Sequence, residues 1–176
     1  MRLRSRITIG TLGFLLISLT LCCTLMIYVS KKNMLNSTTS YTKTELEKLV
    51  ANFYTNKSDI ESTVEELTAE TKLKYYFFKQ TQYSDSDTEY VLQCGDEIIY
   101  NDSGLDAPTI LGLNEDKSNI EMQGETKSDI VHTEGADYYI CGVDININDR
   151  IYQVCIVRDI TELYRQIYRM IALCVG

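Results

Sequence analysis

From Ile7 to Ser30 the chain runs for twenty-four residues without a charge, and most of them are apolar. At about 1.5 Å rise per residue, a helix of that length exceeds the ~30 Å hydrocarbon layer of a bilayer. Residues 7–30 are therefore read as a transmembrane helix behind a basic start, residues 1–6. A cleaved signal peptide has a shorter apolar region of ~7 to 15 residues and small residues before its cut, neither of which is present. Cys22 has the placement of a lipoprotein cysteine, but Leu21 stands where a small residue belongs. Arg2, Arg4, Arg6 and the free amine outweigh Lys31 and Lys32, so the positive-inside tendency puts the bulk of the chain outside the cell membrane.

All 25 acidic residues lie between Glu45 and Glu162. Against ten Lys and Arg from Asn33 to Tyr164 they leave that segment near −15. A field of that sign repels nucleic acid, which is excluded as a partner, and attracts cations and cationic peptides. Of the six cysteines, Cys22 and Cys23 fall in the apolar span and Cys174 in the apolar tail. Cys94, Cys141 and Cys155 remain, an odd number with no C-x-x-C spacing, so neither a disulfide framework nor a zinc site is indicated.

Beyond the span, Leu46, Leu49, Val50, Phe53, Ile60, Val64 and Leu67 repeat at helical spacing. Ser58 with Glu61 fits a capping box, so the stripe divides near Thr55 to Ser58. It serves either as a core-facing helix or as a partner helix in a dimer. Aromatic-rich Leu73 to Lys79, then Glu89 to Cys94, Glu97 to Tyr100, Asp137 to Val143 and Ile151 to Arg158 read as five strands. Gly95-Asp96 joins two of them in a tight hairpin, and a second turn lies within Asp144 to Asp149, at Ile147 to Asp149 or Asn148-Asp149. Asn101 to Glu125, with the single proline Pro108, reads as loops over the sheet. The expected class is α+β with a five-stranded antiparallel sheet framed by helices.

Asp159 and Glu162 have the spacing of a helix N-cap and its N3 partner, so a strand passes directly into an exit helix. Met170 to Gly176 is wholly apolar. Seven residues cannot cross a bilayer, so a second, truncated transmembrane helix is expected to begin at residues 169–176, after an outer domain of residues 31–168.

An uncharged span, a helical entry, a five-stranded outer domain and the exit Val157-Arg158-Asp159-Ile160-Thr161-Glu162-Leu163-Tyr164 together resemble the input half of bacterial sensor histidine kinases. The outer domain is similar to their PAS-like, single Cache-type sensors. Chemoreceptors and membrane-bound cyclic-dinucleotide enzymes are alike on this side of the membrane, so three outputs stay open. The resemblance implies a homodimer and a cytoplasmic kinase part, beyond these residues, that acts on a response regulator. His132 lies on the outer side and is not a phosphoacceptor; it is a strand or loop residue or a pH sensor.

Ligand pockets of that family lie on the sheet beneath the long helix and loops. There Tyr138, Tyr139 and Tyr152 are candidate phenol donors and Arg158 a candidate cation, while Asp159 and Glu162 form the transmission junction. The other bases assigned to strands are Lys72, Lys74, Lys79 and Arg150. Asp85 to Asp96 starts like a calcium loop but has Tyr90 where glycine belongs and Asp96 where a bidentate Glu belongs, so it reads as an acidic turn. Cys141 and Cys155 face each other only if the hairpin between them has three residues; a two-residue turn shifts the register and separates them. No cofactor, metal site or catalytic residue is expected, and the stimulus is a small ligand, a cation or a peptide. A stand-alone anchored binding or adhesion protein is the alternative; a secreted enzyme lacks any nucleophile and base pair.

Overall fold

A computed structural model describes residues 2–55, 69–82, 87–113, 124–147 and 150–175. The elements are α1 (Arg2–Thr55), α2 (Ala69–Thr81), β1 (Thr88–Cys94), β2 (Glu97–Asn101), α3 (Ala107–Ile110), β3 (Lys127–His132), β4 (Asp137–Ile147), β5 (Arg150–Asp159) and α4 (Thr161–Val175). They form two compact units, one of Met1–Thr38 with Glu162–Gly176 and one of Thr39–Thr161. The chain is α+β, with a long apolar N-terminal helix and a five-stranded antiparallel sheet in the order β2-β1-β5-β4-β3.

In the first unit, Leu12, Phe14, Leu16, Ile17, Leu19 and Leu21 of α1 are exposed. The threonine hydroxyls at positions 20 and 24 are satisfied within the helix. Thr20 Oγ1 donates to the Ile17 carbonyl at 2.9 Å, and Thr24 Oγ1 to the Leu21 carbonyl at 2.9 Å. Such back-bonding hides side-chain polarity from an apolar surrounding. The helix is therefore compatible by length and composition with a membrane anchor.

The second unit is built around the sheet, whose two faces are covered differently. Leu46, Leu49, Val50 and Phe53 of α1 are buried together with Leu73 and Phe77 of α2. Phe53 meets Tyr76 and Phe77 edge-on, with centroids 5.6 and 5.9 Å apart. These helices cover the sheet face that carries Tyr139, Cys141, Tyr90 and Arg158, since Cys141 Sγ reaches the Thr42 carbonyl at 3.8 Å and Tyr90 Oη reaches Glu45. The described part of the apolar stripe is thus core; Ile60, Val64, Leu67 and the Ser58/Glu61 box lie outside the described residues.

On the other face Val91, Ile140, Cys155 and Val157 pack with Ala107, Leu111 and Leu113. The single turn α3 is started by Asp106, whose carboxylate accepts from Thr109 N at 3.4 Å. After it, Gly112 at φ +58° returns the chain so that Leu111 and Leu113 both reach the sheet.

Two elements differ from the sequence reading. Leu73 to Lys79 is helical, so Lys72, Lys74 and Lys79 belong to α2 and to no strand. Its aromatics raise strand propensity, but Leu73, Tyr76 and Phe77 recur at steps of three and four, and the packing of that face against Phe53 decides. The fifth strand is β3, which pairs with β4 from Lys127↔Gly142 to His132↔Asp137. As an edge strand with mostly exposed side chains, it shows little hydrophobic alternation.

The Gly95-Asp96 hairpin is present, with Cys94 paired to Glu97 and Gly95 at φ +62°. A bulge at Ile99 shifts the β1/β2 register between Leu92↔Tyr100 and Gln93↔Ile98. β4 continues through Asp144 to Ile147, beyond the strand end expected at Val143. The ladder ends at Ile147↔Arg150, which fixes the two-residue register. Cys155 accordingly opposes Gly142, Cys141 opposes Ile156, and both thiols are free. Because adjacent register positions alternate sides, the two sulfurs point to opposite faces of the sheet.

Candidate functional site

The four candidate ligand residues divide between the two faces. Tyr138 packs at the margin of the α3-side cluster, whereas Tyr139, Tyr152 and Arg158 share the α1 side. Tyr139 and Arg158 are direct cross-strand partners. Tyr152 lies six residues along β5 from Arg158, about 20 Å away at strand rise, and pairs with Ile145. Tyr139 and Tyr152 are both buried. Burial pushes the Tyr139 phenol up, with Ser128 acting in the opposite direction. The tyrosines thus do not converge on one pocket.

What gathers instead is a polar cluster where α1 crosses β5 and β1. Arg158, with a side chain 14% exposed, stands 4.8 Å from the Tyr41 ring and 3.9 Å from Glu45 Oε2. Glu45, 23% exposed, accepts from Tyr90 Oη at 2.7 Å through its other oxygen. A largely desolvated guanidinium thus has a carboxylate and the face of an aromatic ring among its neighbours. The arrangement ties the entry helix to the central strands. Its sequence signal was a carboxylate on an apolar helical stripe: Tyr41, Glu45 and Leu49 follow at steps of four.

Where β5 ends, Asp159 Oδ1 accepts from Thr161 N at 2.7 Å, and Asp159 N donates to the Asp87 carbonyl at 3.0 Å. Ile160 N donates to the Asp137 carbonyl at 2.8 Å, and Thr161 Oγ1 accepts from Asp137 N at 2.9 Å. Four hydrogen bonds thus fix the strand-to-helix junction within the second unit. Glu162 is turned along α4, where it pairs with Arg165 and, at 3.6 Å, with Arg169. Asp137 also meets His132 Nδ1 at 2.5 Å through its carboxylate, on the exposed β3/β4 turn.

Burial raises the Glu89 carboxyl, and Asp102 and Asp159 reinforce that shift. Asp144 is buried on β4 and accepts from the buried Gln153 Nε2 at 3.2 Å. Among the described residues no set of three His, Cys, Asp or Glu could hold a metal ion. Asp85 and Ser86, the start of the acidic turn, lie outside the described residues. No known protein family, curated protein or solved structure matches this chain.

Proposed function

We propose that the chain is the membrane-anchored, extracytoplasmic input domain of a transmembrane sensor, of the histidine-kinase type that the Val157 to Tyr164 exit resembles. One observation carries this reading: α1 is a single helix from Arg2 to Thr55, apolar and exposed at one end and core-forming at Leu46 to Phe53 at the other. A helix of that kind is suited to carry a displacement between a folded domain and a bilayer, with no loop to absorb it. The sheet side supports the same reading, since a single residue, Ile160, separates β5 from α4.

In this reading a small ligand, cation or peptide favours one of two arrangements of the domain, and only its differential affinity for them shifts the output. The Arg158–Glu45 tie and the Asp159–Thr161 junction are the contacts that such a shift would load. The cytoplasmic half, a second copy and a response regulator complete the scheme. The test is the reading frame downstream of the Gly176 codon. Further apolar residues, a basic flank and a helical segment whose histidine takes phosphate from ATP are expected. An immediate stop codon would replace this function with that of a stand-alone anchored binding protein.

A further inference from the structure

In the first unit the apolar end of each helix is bordered by cations and tyrosines. On α1 the uncharged run stops at the exposed Lys31 and Lys32, with the exposed Tyr28 one turn earlier. On α4 the apolar stretch from Met170 follows Tyr164, Arg165, Tyr168 and Arg169. Lys31 Nζ lies 5.8 Å from the Tyr164 ring centroid, which brings the two borders to one level. On the low-number side of that level, Cys23, Ile27 and Ser30 of α1 are half-buried, at steps of four and three along one face. The two helices are therefore antiparallel, and both become apolar in the same direction away from Lys31.

The cations at this border face outward. The Arg165 and Arg169 side chains are 57% and 67% exposed. Arg169 is five residues, about 7.5 Å, further along α4 than Tyr164. Its guanidinium is nevertheless folded back, with Nη1 3.6 Å from Glu162 Oε1. That is the direction a long cationic side chain takes when its backbone lies at apolar depth and its head must stay at the polar surface. Four cations share this level with one carboxylate, in a chain whose formal charge is −8. The sign of the surface is thus locally inverted, beside apolar side chains such as Leu25 and Met26 that are themselves exposed.

We propose that Lys31, Lys32, Arg165 and Arg169 form a headgroup-binding band that selects anionic phospholipid in the leaflet at this end of the apolar segment. Charge complementarity favours a phosphodiester headgroup without a compensating amine. The tyrosines flanking the cations suit the boundary between headgroups and hydrocarbon. This inference rests on the reading of α1 as a membrane anchor.

The experiment is native mass spectrometry of the detergent-solubilised chain with equal amounts of phosphatidylglycerol and phosphatidylcholine, alongside alkaline extraction of membranes carrying it. Preferential retention of phosphatidylglycerol is expected, falling about fivefold for each cation replaced by glutamine. Glu162→Gln, which removes only the local acid, should strengthen the preference. Equal retention of the two lipids, or a preference unchanged in the fourfold glutamine variant or in Glu162→Gln, overturns the band while leaving the anchor standing. Release of the chain by alkali overturns both.

Discussion

Cys155 stands directly opposite Gly142 in the β4/β5 ladder, and its Sγ lies 2.6 Å from the position a Cβ on Gly142 would take. Leu111 and Leu113 each bring a Cδ1 to 2.9 Å of the same point. The glycine is thus the space into which the α3-side core closes. Gly142→Ala should destabilise the domain by about 1–3 kcal/mol through overpacking. Gly142→Ala/Cys155→Ala should recover only part of that loss, because both leucines still collide. Urea unfolding of the two variants measures the difference, and an unchanged midpoint in the single variant would contradict this packing.

Glu45 serves two partners at once, so its removal is not a simple pair deletion. Glu45→Ala removes both the carboxylate that approaches Arg158 and the acceptor of the Tyr90 Oη hydrogen bond. A loss of about 1–3 kcal/mol is expected, reduced from the fully buried case by the partial exposure of both side chains. In a cycle with Arg158→Ala the two losses should fall short of additivity by about 0.5–2 kcal/mol. Strict additivity in denaturant titrations would mean that the 3.9 Å approach carries no coupling.

The sheet was legible where its strands are buried. Val154 to Val157 and Ile140 to Val143 announce a two-sided core, and Gly95-Asp96 marks its hairpin. The number of strands was anticipated, and four of the five were located; the fifth was placed on Leu73 to Lys79 instead of on Lys127 to His132. Leu73 to Lys79 is aromatic enough for a strand, but its helical burial depends on Phe53, a partner distant in sequence. β3 was hidden because an edge strand need bury only half of its bonds and few of its side chains. The Arg158 cluster was half visible. Arg158 stood out as a base on an inner strand, but its pairing with Glu45 requires knowing which face of β5 meets α1. That depends on a register set by two residues between Ile147 and Arg150.

The buried thiols predict a loss of stability in alkali. Burial pushes the Cys141 thiol up to about 12, with Lys43 acting in the opposite direction, and burial raises Cys155 well above its ordinary range. In the unfolded chain these groups ionise near 8.5, so above that pH the unfolded state releases protons that the folded state retains. The stabilisation is complete below the unfolded value and is lost as pH climbs toward the folded one. Each thiol should contribute a decline of about 1.4 kcal/mol per pH unit above pH 9. Cys141→Ala should be less stable at pH 7 yet show a shallower decline between pH 9 and 11. Parallel stability curves for wild type and variant in that window would rule the thiol out as the cause.

The strand-to-helix junction should respond differently to its two side chains. Asp159 is exposed, and its carboxylate satisfies one amide at the start of α4, so Asp159→Ala should cost about 0.5–2 kcal/mol. Thr161→Val keeps the helix start but strips Asp137 N of its part-buried acceptor, at about 1–3 kcal/mol. Because Asp137 N lies at the head of β4, the second variant should also speed amide exchange at the β3/β4 end, at Asp137 itself and at Thr133, which bonds the Ala136 carbonyl. Asp159→Ala should leave those amides protected and speed exchange at Thr161 alone. Hydrogen exchange read residue by residue separates the two patterns. If both variants loosen the same amides, the junction acts as one cooperative clasp rather than as two independent bonds.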